Sequence, residues 1–148
     1  MNFKNFLGRC LAEKPIDDLL VHFAIAKKPK RHKGSDTAYV SNLELGVELT
    51  FIDCESLDDA SGYPDGALVL ANIRFYGIPN HEFSKYAGDL PEGIQFGETK
   101  DEILRRLGEP NWTGMDGAKF RWNQEATRLL VSFDDEDRVD IVSLDLPS

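Results

Sequence analysis

The stretch from Leu90 to Leu144 sets the tightest limits on how this chain can fold. Thr99 suits the N-cap of a helix, because its hydroxyl can accept a hydrogen bond from a first-turn amide, and acidic residues follow it. Apolar residues then recur on one helical stripe. Gly108 suits the left-handed position after a helix end, and Pro110 prevents continuation. The sequence therefore predicts a short helix over 100–107.

Three strand-like runs follow this helix, at 119–122, 128–133 and 139–144. The last run alternates apolar and polar side chains, which is typical of a half-buried strand. Gly114 and Gly117 bracket a turn before the first run, and a predicted turn near 111–113 places Trp112 beside a loop. This part of the chain is thus predicted to be one helix followed by three antiparallel strands.

The earlier part of the chain has the same order of elements in a looser form. Pro15 lies where a helix favours its first residue, and an apolar stripe follows that ends before Pro29. Strand-like runs then occur at 37–40, 46–52 and 67–76, with a long acidic loop before the last one. Residues 3–14 fit either a strand or a first helical turn, and the sequence leaves that choice open.

The repeated order predicts an α+β fold in which two helix-plus-three-strand repeats form one antiparallel sheet, with the helices packed on one face. We expect a single domain over residues 1–148, because 148 residues suit one hydrophobic core. The first unit covers 1–80, the link 81–89 and the second unit 90–148. Two copies with a period of about 80 residues are too few and too long for a solenoid.

The charge is unevenly distributed along the chain. Residues 1–33 carry eight Lys or Arg and three Asp or Glu, so they hold +5, while the whole chain holds −9 and residues 34–148 therefore hold −14. Such a surface repels nucleic acid and attracts basic partners, although solubility alone also explains it. The basic cluster Lys27–Lys33 fits a phosphate contact or a solvated loop after a helix; we favour the loop, because no aromatic residues interleave with the cations.

The sequence offers no catalytic constellation. The three histidines, His22, His32 and His81, lie far apart in different contexts, and neither Cys10 nor Cys54 has a histidine nearby in sequence. Two cysteines without a secretory signal are more often free thiols than a disulfide. We therefore expect neither an enzyme nor a metal or cofactor site.

A binding protein needs a rigid scaffold, complementary charge and a few aromatic anchors. The loop after the strand at 46–52 carries five carboxylates around Tyr63, and Trp112 either remains exposed as an anchor or folds back over the core. The predicted partner-binding residues are Asp53, Glu55, Asp58, Asp59, Tyr63, Asp65, Trp112 and Asp116.

The second unit also resembles known proteins. Its Phe96–Ile103 segment, Leu107–Pro110, Trp122 and the two last strands resemble a pattern shared by two groups. These are the small outer-membrane lipoproteins of the β-barrel assembly machinery and the secreted β-lactamase inhibitor protein. The resemblance implies helices on one face of a sheet whose other face can hold a partner. The chain lacks the lipoprotein signal and acylated cysteine, and also the secretion signal and paired cysteines of the inhibitor.

The link Phe83–Ile94 resembles that of bacterial proteins with two such units, which look like immunity partners of polymorphic or type VI secreted toxins. The resemblance implies an immunity protein that binds a cognate toxin, such as a nuclease, and occludes its active surface. The alternative is a non-enzymatic assembly module that binds a peptide or an envelope protein. No apolar run long enough for a membrane span and no secretory signal are present, so we expect a cytoplasmic protein. The oligomeric state stays open.

Overall fold

The computed structural model describes residues 1–78 and 82–147, and seven antiparallel strands form one sheet within them. In chain order the strands are β1 (Thr37–Asn42), β2 (Val47–Asp53), β3 (Leu68–Tyr76), β4 (Trp112–Gly114), β5 (Lys119–Asn123), β6 (Arg128–Phe133) and β7 (Val139–Asp145). The α-helices are α1 (Lys14–His22) and α2 (Lys100–Leu107), and short 3₁₀ turns lie at Phe3–Phe6, Cys54–Ser56, Pro91–Gly93 and Met115–Gly117. The strands are ordered β1-β2-β3-β7-β6-β5-β4 across the sheet. The predicted α+β class and single antiparallel sheet are confirmed.

Helix α2 begins and ends where the sequence predicts. Thr99 Oγ1 accepts a hydrogen bond from the Glu102 amide at 3.2 Å, and the Glu102 carboxylate accepts one from the Thr99 amide at 3.3 Å. This reciprocal capping box satisfies two amides that a helix start otherwise leaves unpaired, and the Thr99 amide lowers the pKa of Glu102. Gly108 follows the helix at φ +79°. The side chain of Ile103 is fully buried.

Helix α1 confirms the predicted helix in the first part of the chain, with Pro15 in its first turn. Its buried face consists of Ile16, Leu19 and Leu20. The chain leaves the helix soon afterwards, because Ala24 adopts a positive φ of 53°. With nine and eight residues, neither α-helix can cross a bilayer, and no other helix in the described part of the chain is long and apolar enough.

Both helices pack on the same face of the sheet. Along β2 every second side chain is buried, so Val47, Leu49 and Phe51 point toward the helices. The register carries this face across the whole sheet: Val47 lies opposite Phe75, Phe75 opposite Val142, and Val142 opposite Val131. These side chains belong to one hydrophobic cluster that also contains the buried residues of α1 and α2.

The link packs against the first part of the chain. Tyr86 is buried in the main core, where its ring lies 4.6 Å from that of Phe75. Phe83 stacks on Tyr76 with ring centroids 4.1 Å apart. Both aromatic side chains of the link therefore pack against the body of the protein. The predicted end of the first unit at Pro79 and Asn80, and His81 at the start of the link, lie outside the described residues.

One segment differs from its prediction, and a second segment resolves a choice that the sequence left open. The predicted loop around Trp112 is wrong: Trp112–Gly114 forms a seventh strand at the edge of the sheet, and Trp112 lies opposite Arg121. The N-terminal segment folds as one 3₁₀ turn and then runs beside β3. There the Leu11 amide donates to the Leu68 carbonyl at 2.8 Å.

Candidate partner-binding surface

The described residues contain no cluster of reactive side chains. Cys10 and Cys54 are free, buried thiols, and His22 is exposed at the end of α1, where its ring lies 4.9 Å from that of Phe23. Cys10 precedes the first turn of α1, whereas His22 is the last residue of that helix, and Cys54 directly follows β2. No group of three or more His, Cys, Asp or Glu in this part of the chain is arranged to hold a metal ion.

The cysteines are also placed too far apart to pair. Cys10 lies opposite Val69 on one side of β3, and Cys54 directly follows β2 on the other side. Two inter-strand steps separate their backbones by about 10 Å, whereas a disulfide needs Cα atoms within about 7 Å. The thiols therefore serve as small apolar side chains in a minor cluster with Val69.

The side of the sheet that faces away from the helices is the most extended feature left without a structural role. We call it the open face. One register row crosses it from β2 to β4, with each residue opposite the next, and consists of Glu48, Arg74, Ser143, Leu130, Arg121 and Trp112. Each neighbour in sequence of Arg74 and of Arg121 is a buried core residue, which places these arginines on the open face.

Arginine side chains dominate the centre of the open face. Arg74, Arg121 and Arg128 each have a buried Nε without a hydrogen-bond partner among the described residues. Arg128 forms an ion pair with Asp145, and the Arg121 guanidinium lies 5.3 Å from the centre of the Trp112 ring. Arg74 forms no ion pair within the described chain. A buried N–H without a partner costs stability, so these arginines are suited to receive an acceptor.

A cavity of about 250 Å³ opens among these strands. Its polar lining consists of Arg74, Lys119, Ser132, Asp140 and Ser143, and its apolar lining comes from five further side chains, Met115, Ala118, Leu130, Phe133 and Ile141. Asp140 Oδ1 is buried and has no hydrogen-bond partner in the described chain. Burial raises the pKa of Asp140, and the nearby charges of Asp134 and Asp135 raise it further.

Exposed aromatic side chains lie at both edges of the open face. Tyr39 on β1 is 62% exposed, and Trp112 on β4 is 40% exposed. Six inter-strand steps separate β1 from β4, which corresponds to about 29 Å. Aromatic side chains contribute large contact areas at protein interfaces, so the two edges supply anchors for a partner that spans the sheet.

The predicted acidic residues divide into internal and exposed groups. Asp53 is buried, forms an ion pair with Arg31 and caps the following 3₁₀ turn. The Tyr63 hydroxyl donates to the Gly8 carbonyl, and its ring packs in the minor cluster around Val69, which lies on the open-face side of β3. The remaining carboxylates are exposed: Glu55, Asp58, Asp59, Asp65 and Asp116.

These predicted residues do not form one site. The acidic loop joins β2 to β3 at one end of the sheet, whereas Asp116 joins β4 to β5 at the opposite end. Trp112 lies on β4, five steps from β2, so about 24 Å separates it from the start of the acidic loop. The structure therefore places acidic loops at both ends of the open face, with the arginines between them.

Sequence reasoning missed the arginines and Tyr39. A signal for them is present, because Arg74, Arg121 and Arg128 occupy the non-core positions of alternating strands. What could not be read is that these three positions lie near one another, since that depends on the pairing of β3 with β7.

The basic cluster Lys27–Lys33 lies beside the edge strand β1, where Ser41 is opposite Glu48 of the open-face row. It lines a cavity of about 500 Å³ together with Tyr39, Val40 and Ser41 of the edge strand β1. Two of its cations are bound internally: Arg31 pairs with Asp53, and Lys28 lies 3.6 Å from Asp17. Internal ion pairs thus hold part of the cluster, and the choice between a phosphate contact and a solvated loop stays a prediction.

A comparison with protein-family models gave no match, and neither did a comparison with curated proteins. Among solved structures, the chain is similar to a DUF4309 family protein (YjgB) from Bacillus subtilis subsp. subtilis str. 168. The sequence identity is 14%, the alignment covers 88% of this chain and 77% of that one, and the TM-score is 0.45.

Proposed function

We propose that this protein is not an enzyme and that it acts by covering a surface of another protein with the open face of its sheet. The observation that carries this proposal is the open face itself. No helix of the described chain covers it, an exposed aromatic side chain lies at each edge, and Arg74 in the middle has no ion-pair partner there.

The open face is large enough for such a role. Seven strands span about 29 Å, and five residues along a strand span about 17 Å, which gives a projected area on the order of 500 Å². A stable protein interface takes roughly 800 Å² of accessible surface from each partner. Accessible area exceeds projected area because side chains protrude from the sheet, and the acidic loops at both ends add further contact surface.

The partner that we propose is a secreted bacterial toxin, neutralised by occlusion in the cytoplasm. Support comes from the resemblance of the second unit and the link to immunity-type proteins, and from the net charge of −9. An acidic protein associates quickly with a toxin whose active surface is basic, because the long-range field steers the encounter. Glu55, Asp58, Asp59, Asp65 and Asp116 are the exposed carboxylates for this steering.

We also propose that the chain consists of two related units joined edge to edge. The strand order supports this, because β3 and β7, the last strands of the two predicted units, pair at the centre, and the earlier strands follow outward in reverse order. Strand β4 is an addition to the second unit at its outer edge. The pairing of β3 with β7 would then create the continuous open face that the binding function needs.

The proposal predicts that a neighbouring gene encodes the toxin, and co-expression with the product of that gene tests the function. We expect the wild-type protein to keep the host alive, and the double variant Tyr39→Ala, Trp112→Ala to lose at least tenfold of this protection while its thermal unfolding remains cooperative. Val21→Ala is the matched control, because Val21 is 79% exposed on α1, away from the open face. Equal protection by all three proteins would reject the open face as the interface. Failure of the wild-type protein to protect, together with co-purification of an envelope component, would favour an assembly module.

A further inference from the structure

Two residues that line the same cavity on the open face each carry a buried polar atom without a hydrogen-bond partner in the described chain. These atoms are Nε of Arg74 and Oδ1 of Asp140, and the cavity between β3, β7, β6 and β5 holds about 250 Å³. Such atoms are rare in native proteins, because a buried polar group that is left unpaired destabilises the folded state. Their presence on two residues that line one cavity indicates that an external group completes their hydrogen bonds.

The cavity discriminates between candidate groups by charge. Its cations are Arg74 and Lys119, and its single carboxylate is Asp140. Two cations against one carboxylate favour an anionic group, and two serine hydroxyls, Ser132 and Ser143, add neutral donors. Burial raises the pKa of Asp140, so the cavity disfavours the negative charge of this carboxylate.

The geometry of the guanidinium donors indicates which anionic group the cavity binds. A guanidinium offers parallel N–H donors at a spacing that matches the two oxygens of a carboxylate. A cavity of about 250 Å³ has room for a glutamate-sized side chain.

We infer that the cavity beside Arg74 receives a carboxylate side chain of the partner protein. This inference rests on the proposed binding function and names the chemistry of the partner at the centre of the interface. The partner then presents a carboxylate to Arg74 and basic groups to the acidic loops at the two ends of the open face. The proposed partner surface is therefore basic at its two ends and acidic at its centre.

Short peptides test this inference without knowledge of the partner. The probes are hexaglutamate, hexaglutamine and hexalysine, added to ¹⁵N-labelled protein while the Nε–Hε signals of the arginine side chains are recorded. We expect hexaglutamate to shift the Arg74 signal in a saturable manner, and hexaglutamine of the same length to leave it unchanged.

Matched variants separate the cavity from general charge attraction. In Arg74→Gln we expect the apparent affinity for hexaglutamate, read from the Lys119 and Ser143 backbone amides, to fall about tenfold. Lys30→Gln removes the same charge in the exposed basic cluster and should leave the Arg74 shift intact. A shift confined to the Lys27–Lys33 amides, or a response of the cavity residues to hexalysine alone, would overturn the inference.

The toxin assay then distinguishes the two proposals. If Arg74→Gln protects the host as well as the wild-type protein does, while Tyr39→Ala, Trp112→Ala fails, the carboxylate inference falls and the binding function stands. If even the wild-type protein gives no protection but hexaglutamate still shifts the Arg74 signal, the toxin function falls and the carboxylate site stands.

Discussion

At the residue scale, the roles of helix-end residues follow from local backbone geometry, so the sequence alone predicts them. Thr99 and Gly108 at the ends of α2 could be placed from sequence, because capping and left-handed geometry depend on nearest neighbours. The role of Asp53 could not. It is in a predicted acidic loop, yet the pairing with Arg31 buries it, and that contact joins positions 22 residues apart.

Gly46 illustrates a requirement that combines backbone conformation with a close contact. It has φ +75°, and a β-carbon there would overlap the Ser84 carbonyl and the Tyr86 amide of the link. We expect Gly46→Ala to lower the free energy of unfolding by at least about 3 kcal/mol, measured by chemical denaturation, since steric overlap adds to the strain of the left-handed conformation. Gly34→Ala is the matched control, with φ +82° and no neighbour within 4 Å, and should cost only about 1–2 kcal/mol. Equal losses in the two variants would contradict the proposed packing of the link.

Asp140 gives a pH-dependent prediction at the same scale. Its pKa in the folded protein is raised above the ordinary value of 3.8, so the folded state favours the protonated form. The charged form of Asp140 therefore destabilises the folded state. This loss of stability is fully present above the pKa of the folded state and disappears as the pH falls below the pKa of the unfolded state. We therefore expect Asp140→Asn to raise the melting temperature at pH 7, with a gain that vanishes near pH 3. Asp58→Asn, at an exposed carboxylate, should give no such pH-dependent gain; a constant gain for Asp140→Asn at all pH values would disprove the electrostatic cause.

At the scale of elements, periodicity and end signals predicted both α-helices and six of the seven strands. Strand β4 was missed because it has only three residues, too few for an alternation to be read. Its formation depends on a partner from elsewhere in the chain: Trp112 pairs with Arg121, and its ring lies beside that guanidinium. Short edge strands of this kind are set by tertiary contacts and not by local preference.

The capping box of α2 provides the test at this scale. Thr99→Ala removes the side-chain acceptor of the Glu102 amide, and we expect it to lower the free energy of unfolding by about 1 kcal/mol. Thr99→Ser keeps the hydroxyl and should cost much less. Equilibrium urea denaturation of both variants measures the difference. If serine and alanine destabilise the protein equally, the loss belongs to the threonine methyl group and the cap has no energetic role.

At the scale of the whole molecule, the sequence predicted one antiparallel sheet with both helices on one side, and the main core agrees with this arrangement. It could not predict the strand order, because the pairing of β3 with β7 joins segments about 70 residues apart. For that reason the sequence did not predict the candidate site as one surface. The acidic loop and Trp112 were visible as separate features, whereas the arginine-centred open face exists only once the two parts of the sheet meet.

The central claim is that the open face contacts the partner. The most direct measurement is methyl cross-saturation NMR on the complex with the proposed partner toxin. We predict that saturation of the toxin reaches the methyl groups of Leu130 and Ile141, which line the open-face cavity, and leaves that of Val21 on α1 unaffected. Saturation of Val21, with Leu130 and Ile141 unchanged, would contradict the account and place the partner on the helical side.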